Sequence, residues 1–356
     1  MASAVPTCKL EMAMKAMPLF FLFSLLFMIG NGALAQSARQ GALNTNDSFV
    51  TAALLGQTDT VEQMLEEGAD INGRDRYNNT ALTAASSQGH TATVRLLLGK
   101  GANPEEGDQS GDTALMCAAR NGHVDTAKVL LEQRPSVGAR NINQDTALIE
   151  AAGHPGGLSG NPPRAANYLA VVELLLDNGA NVQAKNRQGI TPIIWAAEWG
   201  NTEIVKLLLD RGANIEDADM FGNTALMRAA VFGRDEAVAV LVAKGAKLEA
   251  KDAEGKTALM HAAVGGPSGG HADTVELLLN EGANLEARDN RGETVLILMV
   301  SENYVEGHTE ALEALLTRGA NVEAKDNQGD TALAKAISLN RADLVRVLKI
   351  HNQASH

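Results

Sequence analysis

The tripeptide Thr-Ala-Leu, or a close relative, recurs down this chain from Thr80, Thr113, Thr146, Thr191, Thr224, Thr257, Thr294 and Thr331. Successive steps are 33, 33, 45, 33, 33, 37 and 37 residues. A base period of 33 with insertions is the mark of stacked repeats. Units this short cannot bury an apolar face alone and do so only against a neighbour. The 356 residues therefore form one growing stack in place of two or three globules. Aromatic content is only 3%, so the core must be Ala, Leu, Ile and Val in close contact. A stack offers one long surface and no deep pocket, which favours binding over catalysis.

One unit shows how the pattern folds. In Asn186-Arg187-Gln188-Gly189-Ile190-Thr191-Pro192, Gly189 supplies the positive φ of a turn. Thr191 is a competent N-cap and Pro192 suits the first helical position. The helix carries Ala196-Ala197, small enough for close approach, and stops at Gly200. A second helix holds Ile204, Val205, Leu207, Leu208 and Leu209 at core spacing, and Gly212 caps it.

These residues resemble the ankyrin repeat. Thr191-Pro192, the paired alanines, the Gly89-His90 and Gly122-His123 breaks and the Gly-Ala-Asn exits at Gly101, Gly179, Gly282 and Gly319 all have counterparts in that family. The resemblance implies an all-α solenoid of about nine helix-turn-helix repeats joined by short β-hairpin-like turns. The repeats fall at 44–74, 75–107, 108–140, 141–185, 186–218, 219–251, 252–288, 289–325 and 326–350, with a tail at 351–356. The sequence also departs from the family. Met116, Ile149, Met227, Met260 and Ile297 replace its helix-opening His, so each Thr is expected to act as a simple cap. Arg134-Pro135 replaces an exit and Gln144 stands where Gly is expected. A left-handed non-Gly residue costs on the order of 1 kcal/mol. With the Gly- and Pro-rich insertion 153–164, this marks the junction of repeats three and four as the weakest. The final repeat, with Asn340-Arg341 and Lys349, reads as a polar cap.

The N-terminus differs in kind. Lys9 and Lys15 precede an apolar run from Leu19 to Ile29 and then Ala33-Leu34-Ala35. This is the layout of a secretory signal, residues 1–35, cleaved after Ala35 and followed by a short linker at 36–43, with an uncleaved membrane anchor as the alternative. It implies a periplasmic or secreted protein. Cleavage removes Cys8 and leaves Cys117 alone, so no internal disulfide forms.

The residues that vary on the first helix of each repeat form a mixed row, spaced i, i+3 and i+4 on one face. The sets begin at Ala84, Cys117, Glu150, Trp195, Arg228, His261, Leu298 and Lys335. A core row would be uniformly apolar, so this one is expected to face solvent. In the ankyrin family the concave helix face and the turn tips are what partners touch. Half of the aromatic residues after the signal, Trp195, Trp199, Phe221 and Phe232, fall in repeats five and six. Such residues dominate binding energetics. The expected partner-binding set is Trp195, Glu198, Trp199, Met220, Phe221, Arg228 and Phe232, with Arg228 stacking on an aromatic ring or pairing with Glu198.

The resulting expectation is a non-enzymatic interaction module or scaffold, a monomer that holds a protein partner. A net charge of −13 argues against nucleic acid and anionic membranes. No catalytic set, cofactor motif or metal-ligand spacing is evident. Two other readings stand beside it: an exported redox or metal-dependent protein using Cys117 or His261, and a secreted effector acting on a host protein.

Overall fold

The computed structural model describes residues 45–153, 165–265, 270–301 and 308–354. The signal, Ala35, most of the insertion at 153–164 and His154 lie outside the described residues. The described residues fold into nine helix pairs: α1 Thr45–Leu54 and α2 Thr58–Glu66, α3 Ala81–Ser87 and α4 Thr91–Gly99, α5 Ala114–Arg120 and α6 Val124–Glu132, α7 Ala147–Ala152 and α8 Ala165–Asp177, α9 Pro192–Trp199 and α10 Thr202–Asp210, α11 Ala225–Val231 and α12 Asp235–Ala243, α13 Ala258–Val264 and α14 Ala272–Asn280, α15 Val295–Ser301 and α16 His308–Thr317, α17 Ala332–Ser338 and α18 Ala342–Ala354. The odd-numbered inner helices stack on one another, and the even-numbered outer helices form a second row behind them. A continuous core runs between the rows, built from paired alanines such as Ala196-Ala197 and Ala229-Ala230 and from Val205, Leu208, Val238 and Leu241, all buried. Small residues on the inner row let the helices approach closely, as the low aromatic content requires.

The turns are hairpin-like, with isolated antiparallel bridges at Arg74–Thr80, Gly107–Thr113 and Ala218–Thr224. Their tips join into a ladder. The amide of Met220 donates to the Gln188 carbonyl at 2.8 Å, and that of Ala253 donates to Phe221 at 2.8 Å. The breaks are clamped as well. His90, His123 and His271 place Nε2 3.0–3.1 Å from the carbonyl oxygens of Leu54, Ser87 and Val231 in the preceding repeat. Burial lowers the pKa of His123 and His271, which keeps these rings neutral. Asn201 and Arg234 take over the clamp in repeats five and six.

Arg134 and Gln144 adopt φ of 52° and 66°, the left-handed backbone expected at both places. Capping is less uniform than expected. Thr80, Thr113, Thr146, Thr224 and Thr331 accept a backbone N–H from the third residue of their helices. The hydroxyls of Thr191, Thr257 and Thr294 are buried without a partner. The last repeat is not a fully polar cap, since Ile337, Leu339 and Ile350 are exposed there.

Candidate functional site

Among the described residues, repeat six carries the most exposed large apolar side chain. Asp219 begins its turn and accepts the N–H groups of Phe221 and Asn223, both at 2.9 Å. This loop fixes the backbone and pushes the two intervening side chains outward. Met220 is 63% exposed and Phe221 58%. Thr224 then caps α11, which sets Arg228 nine residues beyond Asp219. Its Nε lies 3.6 Å from Asp219 Oδ2 and 3.4 Å from Glu198 Oε2 on α9. Of the two expected roles for Arg228, the pairing with Glu198 is the one observed.

That pair is incomplete. Arg228 Nε is buried and makes no hydrogen bond. Among the described residues the terminal nitrogens of Arg228 and the carboxylate oxygens of Glu198 have the ion-pair contacts and otherwise reach solvent. Burial pushes the Glu198 carboxyl above its ordinary pKa, and Arg228 only partly opposes the shift. Beside the pair, Trp199 is half-buried with its indole N–H unmatched. Phe232 stands one period later, half-buried at the equivalent end of α11.

Trp195 has a different job. A Cβ at Gly153 would come within 2.5 Å of its ring, so the indole lies flat against repeat four. It fills the junction between repeats and holds α9 against α7.

The expectation of a solvent-facing row needs correction. Ala84, Cys117, Glu150 and Leu298 are buried. The first column of the row faces the base of its own turn and meets the residue nine positions earlier. His261 Nε2 is 2.9 Å from Asp252, Lys335 Nζ is 2.6 Å from Asp326, and Asn141 Nδ2 donates to Glu150 at 3.3 Å. An Asp or Asn nine residues ahead of a polar residue was the signal in the sequence, and the reading missed it. The tightest of these clusters joins repeats three and four. Arg120 donates from Nε and from one terminal nitrogen to Glu150 at 2.8 and 2.7 Å and also pairs with Asp112. Burial works against the Arg120 charge, but Glu150 and Asp112 overcome it and hold its pKa well above the usual value.

Chemistry at Cys117 is disfavoured. The thiol is buried, and burial pushes its pKa well above the ordinary value, away from the reactive thiolate. His261 is committed to Asp252. Among the described residues, no three His, Cys, Asp or Glu side chains converge as a metal site. A cleft of about 400 Å³ between repeats eight and nine is lined by Arg291, Glu293, Ser301, Asp326 and Lys335. Lys335 lies 2.6 Å from both carboxylates and occupies them.

The family model for ankyrin repeats, in sets of three copies, matches overlapping segments at 24–108, 49–144, 100–158, 164–252, 217–289, 244–326 and 267–355. The chain belongs to the ankyrin repeat family. No curated protein matches it. Ankyrin repeats are generally protein–protein interaction modules and typically non-enzymatic. The all-α solenoid expected from the sequence is the fold observed. Among the described residues no helix is long and apolar enough to cross a membrane.

Proposed function

We propose that this ankyrin protein is an exported, non-enzymatic scaffold that holds a protein partner across repeats five and six. The contact surface comprises Met220, Phe221, Trp199, Phe232, Glu198 and Arg228, with Trp195 supporting it from beneath. One observation carries the reading: two large apolar side chains, 63% and 58% exposed, share one rigid turn tip beside an unfinished ion pair. Exposed apolar groups on a rigid element mark contact surfaces, and aromatic anchors dominate their energy. Export rests on the basic, apolar and Ala33-Leu34-Ala35 segments of the N-terminus.

Affinity capture from the native compartment tests it. Trp199→Ala with Phe232→Ala abolishes the main partner and leaves the helical circular dichroism signal intact. Met220→Ser with Phe221→Ser does the same at side chains that are mostly exposed. Equal capture by wild type and both double variants discards the surface.

A further inference from the structure

Every described repeat but the last has its downstream face covered by the next. One position near the end of each first helix shows this. Ala53 is fully buried with no described repeat ahead of it, so the cover comes from behind, and the equivalent Ala119, Ala230 and Val300 are fully buried too. Repeat nine puts Ile337 there, 57% exposed and bulkier than any of its counterparts. Ala334 is likewise exposed where Met116, Met227 and Ile297 are buried. Solenoid ends need polar outer faces for solubility, and this end does not have one.

The upstream face of repeat one is the matching open surface. Thr60 on α2 is exposed, whereas its counterparts Thr93, Thr126 and Leu344 are buried. The Thr93 hydroxyl lies 2.8 Å from that of Thr58 in the preceding repeat, which shows the direction this position faces. Ser48 on α1 is half-buried where Ala81 and Ala332 are fully buried. Thr60 and Ser48 are small and uncharged, so covering them strands no ion.

Charge and register say what covers the two faces. Residues 45–68 hold five acidic residues and no Lys, Arg or His, whereas 332–354 hold four Lys or Arg against one Asp. Arg95 lies 3.6 Å from Glu132 across the junction of repeats two and three. Counted from the breaks that precede them, Arg346 occupies the position of Arg95 and Glu66 that of Glu132, and both are exposed. With repeat one of one copy laid on repeat nine of another, the same pair forms.

We infer that the chain associates head to tail with a second copy of itself, repeat one of one copy covering Ile337 and Ala334 of the other while Arg346 pairs with Glu66. The monomer expected from the sequence is thus one link of a longer stack. The contact is heterologous, leaving an open head and an open tail, so it extends into a linear array. It involves neither repeat five nor repeat six and stands apart from the partner face proposed above.

Sedimentation velocity of the full chain, as isolated from its cell, tests this over a concentration series. The wild-type sedimentation coefficient is expected to rise with concentration. Thr60→Lys blocks the head and Ile337→Lys the tail. Both sites are exposed in the single chain, so melting curves stay unchanged, and each variant alone is expected to remain monomeric. Mixed in equal amounts, the two variants retain one open tail and one open head between them and are expected to form a one-to-one dimer that grows no further. Arg346→Glu is expected to weaken association about fivefold or more, and Glu66→Arg in the same chain to restore it. A wild-type chain that stays monomeric throughout, or a mixture that does, overturns the inference. So does association that Ile337→Lys abolishes and Thr60→Lys leaves intact, which would identify a tail-to-tail pair.

Discussion

Repeats three and four and repeats five and six use the same two helix positions with the charges exchanged. At the first junction Arg120 on α5 meets Glu150 on α7; at the second Glu198 on α9 meets Arg228 on α11. Each pair includes a turn carboxylate, Asp112 or Asp219. The outcomes differ. Arg120 holds Glu150 with two hydrogen bonds and pairs with Asp112, whereas Arg228 sits at 3.4 and 3.6 Å from its carboxylates and bonds to neither. The saturated cluster is a fastener. The looser one lies on the face proposed to hold the partner, near Trp199, Phe232 and the exposed tip. Charge in the row therefore does not by itself mark the proposed contact surface, since the same two positions also build a fastener.

The sharpest way to break this contrast is to remove each cation in turn. Arg120→Met leaves Glu150 and Asp112 buried with no countercharge and is expected to cost about 3–5 kcal/mol. Arg228→Met leaves Asp219 with its backbone donors and Glu198 partly solvated, so its cost stays within about 1 kcal/mol. Denaturant unfolding of the two variants provides the comparison, and similar losses would mean that both pairs are structural.

Beside the first cluster lies the larger of the raised carboxyl titrations. Burial pushes the Asp145 carboxyl up from 3.8 to about 6, against the pull of its hydrogen bond from Asn186; the Glu150 carboxylate adds to the rise. A raised folded pKa means that the folded chain binds the proton more tightly than the unfolded chain. The burden of ionised Asp145 is thus absent below about pH 4, grows between about 4 and 6, and is complete above about 6. Asp145→Asn keeps an acceptor for Asn186 and does not titrate. It should stabilise by about 2–3 kcal/mol at pH 8 and hardly at all at pH 4, read as the difference between variant and wild-type melts. The half-buried histidines His123 and His271 act in the opposite sense, since their lowered pKa costs stability as pH falls below about 6.5, but they cancel in that difference.

The tryptophans divide along the same line. Gly153→Ala drives a Cβ into the Trp195 ring and should cost about 1–3 kcal/mol, with a change in tryptophan emission. Because Trp195 packs against Gly153 and the core while Trp199 belongs to the proposed face, capture of the partner should survive Gly153→Ala and fail in Trp199→Ala with Phe232→Ala. Loss in both would put Trp195 on the contact surface after all.

Much of this was legible in the sequence. The 33-residue step set the fold, and glycines missing from expected places located the left-handed backbone of Arg134 and Gln144. The concentration of aromatics is what places the proposed contact surface on repeats five and six. The ion clusters were not legible in the same way. Arg120 and Glu150 are 30 residues apart, and their contact becomes visible only once one repeat is laid on the next. The burial of Cys117 and Glu150 was missed for a related reason: a mixed row looks exposed until the turn above it is placed. Nor does the sequence show why Thr191 and Thr257 leave their hydroxyls unmatched while Thr224 does not.

The smallest expected effect lies in the turns that introduce the two regions. Gln144 and Gly222 occupy the same turn position, with φ of 66° and 83°. Only glycine adopts that backbone without penalty, so Gln144→Gly should gain up to about 1 kcal/mol, offset in part by the freer unfolded chain. The reverse change, Gly222→Gln, adds the same strain and also sets a Cβ 2.9 Å from the backbone nitrogen of Ala253, on the ladder that carries the exposed tip. Amides between 134 and 145 should accordingly lose protection first in hydrogen exchange of the wild-type chain, and Gln144→Gly should delay that loss. Uniform protection across the junction of repeats three and four would show that the Arg120 fastener outweighs the two strained residues beside it.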